Sequence, residues 1–175
     1  MVNWTALLQP DAVLDESAIS LTPGYLQQQG LQGLILDVDR TLVPLNTRWA
    51  SEELQQWVAR MRPSVQLWLV SNNLGEARIR SIASSLELPY VSGAAKPSRR
   101  KLRQALAGMA LPAERAAMVG DRLFTDVLAG NRLGLFTILV EPMRDPHASN
   151  AHPVREMEVW LSRRLGVSLA SARWE

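Results

Sequence analysis

Residues 34–42 read LILDVDRTL. The first three are apolar, and two aspartates spaced two residues apart, Asp37 and Asp39, follow them directly. Strands of a parallel sheet that is covered by helices on both faces are apolar throughout, without the alternation of a half-exposed strand. Residues 34–36 therefore predict a buried strand. Asp37 and Asp39 would then lie at the carboxyl-terminal end of that strand.

Further apolar segments alternate with amphipathic helical segments downstream. The predicted strands cover residues 65–70, 116–119 and 136–140, and the predicted helices cover residues 51–61, 76–86 and 97–109. Pro97 is expected to open the third helix, because proline is tolerated in the first helical turn. This alternation predicts a doubly wound parallel sheet of Rossmann type, a three-layer α/β/α sandwich.

The length and composition are those of one globular domain. The chain has 175 residues, of which 47% are hydrophobic and 21% are charged. We expect a single domain over residues 1–175, with a core at 31–141. Residues 1–30 would be an irregular lead-in ending in a short helix that begins near Pro23.

The C-terminal part, residues 142–175, is expected to form a turn region and a helix. The helix would cover about residues 154–165, with one apolar side made of Val154, Met157, Leu161 and Leu165. Tryptophans and arginines also concentrate there, namely Trp160, Arg163, Arg164, Arg173 and Trp174. Core packing explains most tryptophans, but a surface of this kind would also suit an anionic lipid interface.

Composition excludes several classes of function. The chain has no cysteine, which excludes a disulfide framework, a thiolate nucleophile and a cysteine zinc site. Its net charge of +2 is too small to predict a nucleic-acid partner. No apolar run approaches the roughly 20 residues that span a bilayer, and no secretory signal pattern opens the chain. We expect a cytoplasmic protein, with peripheral attachment to a membrane left open because it needs no span.

Polar residues cluster where the predicted strands end, and ligands of open parallel sheets bind at those ends. Four of the seven aspartates fall in two tight pairs, and a serine and an asparagine follow the second strand: Asp37, Asp39, Asp121, Asp126, Ser71 and Asn72. Lys96 precedes Pro97 and is one of only two lysines, beside seventeen arginines. This placement favours a functional site over solvated strand ends and plain helix caps.

These residue types suit phosphoryl transfer. Two carboxylates two residues apart on an extended segment point to different sides, so one can attack phosphorus while the other transfers protons. Several crowded carboxylates call for a hard cation such as Mg²⁺. A serine hydroxyl and a lysine ammonium would neutralise the phosphoryl oxygens.

The polar segments, taken in order, resemble the four motifs of the haloacid dehalogenase (HAD) superfamily. They are residues 37–42, LVSNN at 69–73, Lys96-Pro97, and VGDRLFTD at 119–126. The set is specific, although each motif alone is weak. With residues 8–19 and 26–33, the chain is most similar to YqeG-type HAD phosphatases of subclass III and resembles phosphatidylglycerophosphate phosphatases. Arg40 departs from the pattern, since asparagine or glycine is commoner there, and it adds a cation beside the site.

The resemblance implies a role for each motif residue. Asp37 would be the nucleophile, Asp39 the general acid and base, and Lys96 a catalytic and phosphate-holding cation. Phosphate would also be bound by Thr41, Ser71 and Asn72, with Thr41 stabilising the turn after the nucleophile. Mg²⁺ would be held by Asp37, the backbone carbonyl of Asp39 and Asp121. Asp126 would lie behind these ligands and orient Lys96 or a metal-bound water.

The spacing between motifs bears on the substrate. Residues 41–71 and 71–96 leave room for little beyond one helix each, so we expect a core without a cap domain and an open site. Such a site suits a phosphate carried by something large, and the resemblance favours phosphatidylglycerophosphate, hydrolysed to phosphatidylglycerol. Two alternatives remain: a HAD phosphatase of protein, nucleotide or sugar phosphates, and a catalytically silent binding module. The second is disfavoured because Asp37 and Asp39 are both present.

Overall fold

A computed structural model of the protein describes residues 3–143 and 153–170. Within that part of the chain, one parallel sheet has the strand order β1-β6-β5-β2-β3-β4. Its strands are β1 (Ala12–Val13), β2 (Gly33–Leu36), β3 (Gln66–Val70), β4 (Tyr90–Val91), β5 (Ala116–Gly120) and β6 (Phe136–Leu139). The chain winds from β2 outward to β4, and then returns to the other side of β2 with β5 and β6.

Helices cover both faces of this sheet. They are α1 (Trp4–Leu8), α2 (Pro23–Gln28), α3 (Glu52–Met61), α4 (Glu76–Leu86), α5 (Arg100–Met109), α6 (Leu128–Asn131) and α7 (Pro153–Arg164). Strand β2 separates the two layers, because Leu34 and Leu36 join the apolar cluster of α2, α3 and α4, whereas Ile35 joins that of α5. This alternation is what an apolar strand in a three-layer sandwich requires, and the predicted fold class is confirmed.

Local sequence explains where helix α3 begins and which of its faces is buried. The Ser51 hydroxyl accepts a hydrogen bond from the Leu54 amide at 3.2 Å, which caps the first turn. Leu54, Trp57, Val58 and Met61 are all buried, as their helical spacing predicts. The connection between β2 and β3 contains this one helix, and α4, β4 and α5 follow between β3 and β5.

Two expectations from the sequence are wrong at the level of elements. The lead-in is more regular than expected, because it contributes α1 and the edge strand β1, which pairs with β6. Pro97 does not open α5, which begins at Arg100 after a turn. The Lys96-Pro97 peptide bond is cis. Lys96 therefore lies in a turn and not at the start of a helix, and its ammonium contacts the Val70 carbonyl at the end of β3.

Only part of the apolar side predicted for the C-terminal helix is buried. Leu165 is partly buried against Leu8, Leu128 and Val167. Met157 and Leu161 are exposed, whereas Glu158 is buried at 4% exposure. The side chain of Val154, like Arg173 and Trp174, lies outside the described residues. A helical period identifies an apolar stripe but not the partner that the helix meets, which here is an arginine at the end of β5. No helix in residues 3–143 and 153–170 has the length and apolarity to cross a membrane.

Candidate active site

The carboxyl ends of β2 and β5 meet at the centre of the sheet. Leu36 is paired with Val119, and the Asp37 amide donates to the Val119 carbonyl at 2.9 Å. Because β2 and β5 are adjacent where the winding of the chain reverses, their ends form the crevice in which doubly wound sheets bind ligands. Asp37 and Asp121 therefore emerge side by side.

Three buried carboxylates gather in this crevice around one lysine. Asp37, Asp121 and Asp126 each present an oxygen within 4.8 Å of the others. The Lys96 ammonium lies 2.5 Å from Asp37 Oδ1 and 2.7 Å from Asp126 Oδ1, and it donates to the Val70 carbonyl at 3.2 Å. We call Asp37, Lys96, Asp121 and Asp126 the Asp37 cluster.

Burial and neighbouring charges together set the pKa values of Asp37 and Lys96. Burial raises the pKa of Asp37 to about 6, with Asp126 adding to the rise and Lys96 opposing it. For Lys96, burial alone would lower the pKa, but the carboxylates of Asp126 and Asp37 outweigh it and raise the pKa above the ordinary value of lysine. Lys96 is therefore a fixed positive charge at neutral pH.

The cluster fits a divalent cation. Three carboxylates face one ammonium in a buried crevice, and such an excess of negative charge is costly unless a further cation compensates it. Oxygen ligands of this kind suit Mg²⁺ or another hard divalent ion. The structure thus supports a divalent-metal site. It brings together Asp37 and Asp121, two of the three predicted ligands, with Asp126.

Asn72 fixes the backbone from which Lys96 projects. The Asn72 side-chain carbonyl accepts from the Lys96 amide at 2.8 Å, and its amide group donates to the Lys96 carbonyl at 3.2 Å. The segment after β3 therefore positions the lysine that contacts Asp37 at the end of β2. Asn72 and Lys96 both line the cavity above the cluster.

Asp126 reaches the crevice through an unusually wide helical turn. Residues 123–127 form a π-type turn, in which the Val127 amide donates to the Arg122 carbonyl at 3.2 Å. The Asp126 carboxylate also accepts from the Arg122 amide at 3.2 Å. A Cβ at Gly120 would lie 2.3 Å from Asp126 Oδ2, so glycine is required there for this close approach.

Thr41 belongs to the wall of the site. Its hydroxyl is buried, donates to Asp37 Oδ2 at 3.0 Å and lies 3.5 Å from Asp121 Oδ1. It thus orients the carboxylate predicted to be the nucleophile. Its predicted contact with phosphate stays a prediction.

Asp39 has a different set of neighbours. Its Oδ2 accepts from the Ser71 hydroxyl at 3.2 Å, and its Oδ1 accepts from Arg78 at 2.5 Å. Ser71 also accepts from the Asn73 amide at 3.0 Å and is fully buried. We call Asp39, Ser71 and Arg78 the Asp39 cluster.

Arg78 is the site residue that the sequence interpretation missed. Besides Asp39, it donates to the Thr47 carbonyl at 2.8 Å and to the Pro44 carbonyl at 3.0 Å, tying the loop after β2 to α4. The only signal for it in the sequence is its place in the first turn of the helix that follows Ser71. A charged residue there is usually solvated, so the contact could not be inferred.

Above the two clusters lies an open cavity of about 300 Å³. Its walls are Asp37, Asp39, Arg40, Leu45, Asn72, Lys96, Asp121, Arg122, Thr125 and Asp126. Arg40 has a left-handed backbone with φ of 66°, a conformation that asparagine and glycine adopt most easily. This conformation explains why an arginine is unusual at that position, and its side chain supplies a cation at the cavity wall.

Helix α7 meets the cavity wall at Arg122 through a buried glutamate. Glu158 accepts from the Arg122 guanidinium at 3.0 Å and from the Leu123 amide at 3.3 Å. Burial raises the pKa of Glu158 above its ordinary value, although Arg122 opposes this shift. The sequence interpretation did not include Glu158, because its partner lies 36 residues away.

Comparisons with known proteins identify relatives of this chain. A HAD-hydrolase-like family model matches residues 93–153. The chain is 36% identical over 124 residues to the Probable phosphatase YqeG of Bacillus subtilis (strain 168), covering 70% of this chain and 72% of that protein.

Two further matches are more distant. Phosphatidylglycerophosphate phosphatase 1, chloroplastic/mitochondrial, of Arabidopsis thaliana is 25% identical over 156 residues, which span 79% of this chain but only 43% of the plant protein. The crystal structure of an uncharacterized protein from Listeria monocytogenes serotype 4b superposes with a TM-score of 0.53 at 17% identity, covering 77% of this chain and 99% of that one. The structural match supports the fold alone.

Proposed function

The chain belongs to the HAD superfamily, among its YqeG-type phosphatases, and on this premise we propose that it hydrolyses phosphatidylglycerophosphate through a phosphorylated Asp37, with Mg²⁺ as cofactor. One observation carries the proposal. The Asp37 carboxylate lies buried at the floor of an open cavity, in contact with a lysine that stays charged, beside two further carboxylates.

In the first step, an oxygen of Asp37 attacks the phosphorus atom of the ester. The bond between phosphorus and the ester oxygen breaks, and Asp39 in its protonated form donates its proton to that oxygen. Phosphatidylglycerol leaves with its terminal hydroxyl protonated. The hydroxyl of Thr41 fixes the Asp37 carboxylate during attack, and the Lys96 ammonium offsets negative charge in the crevice.

In the second step, Asp39 is a carboxylate and takes a proton from a water molecule. The water oxygen attacks phosphorus, and the bond between phosphorus and Asp37 breaks. Inorganic phosphate leaves, and the Asp37 carboxylate and protonated Asp39 are restored. The hydrogen bonds from Ser71 and Arg78 set the direction of the Asp39 carboxyl group in both steps.

The cofactor assignment rests on the charge of the site. Asp37, Asp121 and the backbone carbonyl of Asp39 would hold Mg²⁺, and Asp126 would keep Lys96 in place. When bound, the ion supplies electrostatic stabilisation of the phosphoryl oxygens.

Two observations favour a lipid phosphate as substrate. The cavity is open, and a single helix lies between β2 and β3, so a phosphate on a bulky carrier can reach Asp37. The similarity to a plant protein named as a phosphatidylglycerophosphate phosphatase points to the same chemistry. Arg40 and Arg122 at the cavity wall would contact the second, diester phosphate of this lipid.

The test is phosphate release from phosphatidylglycerophosphate in mixed detergent micelles, with and without Mg²⁺. The wild type, Asp37→Asn and the matched control Asp15→Asn are compared, since Asp15 is an exposed aspartate outside the site. We expect metal-dependent release that Asp37→Asn abolishes and Asp15→Asn leaves unchanged.

Soluble protein, nucleotide and sugar phosphates are assayed in parallel. Faster turnover of any of these than of the lipid would overturn the lipid assignment but keep the phosphatase mechanism. Lipid turnover that survives Asp37→Asn would overturn the phosphorylated Asp37.

A further inference from the structure

Large apolar side chains are exposed in three segments near the site. Over the described ranges, seven such residues are exposed: Trp4, Leu45, Trp49, Leu74, Met157, Trp160 and Leu161. All but Trp4 belong to the loop after β2, the loop after β3, or α7. The two most exposed are Trp49 at 67% and Leu74 at 87%. Exposed apolar side chains concentrated in this way mark an interaction surface.

The first two segments border the mouth of the cavity. Leu45 lines the cavity itself, and Trp49 follows the Thr47 carbonyl that Arg78 holds. Leu74 is three residues beyond Ser71, and a Cβ at Gly93 would lie 3.3 Å from its Cδ2. Because both loops leave the carboxyl ends of their strands, these side chains lie on the edge of the sheet that carries Asp37.

Helix α7 contributes the third segment. Met157, Trp160 and Leu161 follow a spacing of three and four residues, so they share one exposed face of the helix. The buried Glu158 anchors the helix to Arg122, which lines the cavity. The Arg164 guanidinium lies 4.5 Å from the centre of the Trp160 ring, beside the exposed Arg163.

The charge of these segments is positive on balance. Residues 40–51 and 71–75 contain no acidic residue and include Arg40 and Arg48. Helix α7 has three arginines against Glu156 and the buried Glu158. Tryptophan prefers the interface between water and lipid, and arginine pairs with lipid phosphates. The combination is complementary to an anionic phospholipid surface.

We propose that Leu45, Trp49, Leu74, Met157, Trp160 and Leu161, with the arginines beside them, form a face that docks on an anionic phospholipid bilayer. We call this set the docking face. The inference rests on the proposed function. The docking face would bring the lipid substrate of that function to Asp37. A lipid phosphate would then enter the open cavity without leaving the bilayer.

Charge disfavours a second copy of the chain as the occupant. A symmetric dimer through the docking face would bring arginines of one copy towards arginines of the other, which is repulsive. An anionic bilayer instead neutralises them. Binding should therefore weaken as salt is added.

The experiment is cosedimentation of the full chain with vesicles of phosphatidylcholine alone, or of phosphatidylcholine mixed with phosphatidylglycerol. No substrate is needed. We expect binding to the anionic vesicles, and at least about a tenfold loss of binding in the triple variant Trp49→Ser, Leu74→Ser, Trp160→Ser. The control is Trp4→Ser, which removes an exposed tryptophan of α1 and should bind like the wild type.

Hydrolysis of a water-soluble phosphomonoester by the same variants reports on folding and chemistry. We expect it to be unchanged in the triple variant. Wild-type protein that binds neither vesicle, or a loss of binding in Trp4→Ser equal to that of the triple variant, overturns the docking face. So does self-association of the wild type in sedimentation velocity that the triple variant abolishes. Vesicle binding without hydrolysis of the lipid would instead leave the docking face standing and refute the proposed function.

Discussion

Asp37 and Asp39 are two residues apart in one motif, yet the fold gives their carboxylates different partners. Asp37 meets the ammonium of Lys96, whose side chain is 1% exposed, at the junction of β2 and β5. Asp39 meets the guanidinium of Arg78, whose side chain is 14% exposed, between the loops that follow β2 and β3. The first carboxylate is fixed by the core, and the second is held by loops.

The two cations match these two tasks. A lysine ammonium is a compact charge that two carboxylates can share inside a crevice, as Asp37 and Asp126 do with Lys96. A guanidinium has several donors in a planar fork, so Arg78 binds Asp39 and two loop carbonyls at once. A nucleophile needs a fixed position, whereas a proton carrier must serve both a leaving group and a water. The structure meets each need with a different kind of support.

The largest effect is expected from Lys96→Met in the Asp37 cluster. The change keeps the volume but leaves the buried carboxylates of Asp37 and Asp126 without their ammonium, which should destabilise the metal-free protein by about 3–5 kcal/mol. Hydrolysis should fall by about a hundredfold or more. Urea unfolding in the presence of a chelator and phosphate release measure the two effects.

The control for Lys96→Met is Lys101→Met, because Lys101 is the only other lysine of the chain. Its unfolding and activity should stay close to the wild type. Equal stability of the two variants would mean that the Asp37 cluster does not depend on its ammonium.

Gly120→Ala should disturb the same cluster through geometry alone. The new Cβ would lie 2.3 Å from Asp126 Oδ2, so the carboxylate has to move away from Lys96. We expect a destabilisation of about 1–3 kcal/mol, and a loss of activity of up to about a hundredfold because a displacement of one ångström suffices for that.

Gly24→Ala is the matched control, since nothing lies within 4 Å of its Cβ in helix α2. Alanine in a helix should make that variant about 0.5–1 kcal/mol more stable than the wild type. Wild-type activity in Gly120→Ala would show that the position of Asp126 is unimportant for catalysis.

Arg78→Gln tests the Asp39 cluster. Its effect should be smaller than those of Lys96→Met and Gly120→Ala. The loop loses its two anchoring hydrogen bonds and Asp39 loses its cation, so we expect kcat to fall about tenfold. Stability should drop by about 1 kcal/mol. Arg78→Lys should recover part of kcat, because it restores the positive charge but not the planar set of hydrogen-bond donors.

Arg80→Gln provides the comparison on the same helix. Arg80 pairs with Glu76 on the surface, with side-chain exposures of 63% and 56%, and an exposed pair of this kind contributes little. Its activity and stability should match the wild type. A loss in Arg78→Gln that falls on KM and spares kcat would contradict a role in positioning Asp39.

Local sequence determined the central strands of the sheet and the motif residues at its carboxyl edge, but not the edge strand β1. Residues 34–36 are apolar on both sides of the strand, and two carboxylates follow them. Each of the other motif residues, Ser71, Lys96 and Asp121, is recognisable because it lies next to a strand or turn signal. Strand and helix periods act over a few residues, so they can be interpreted without knowing the fold. The fold class followed from these signals. The HAD membership was indicated by the resemblance of the motif residues and is shown by the similarity to YqeG.

Only the tertiary structure decided which charged residues meet these motifs. Arg78 reaches Asp39 across 39 residues, and Glu158 reaches Arg122 across 36 residues. Neither residue carries a local signal, because a charge on a helix is usually solvated and its partner depends on how elements pack. The same reason explains why α7 buries Glu158 and exposes Met157 and Leu161. Periodicity defines the faces of a helix, but the neighbouring surface determines which face is buried.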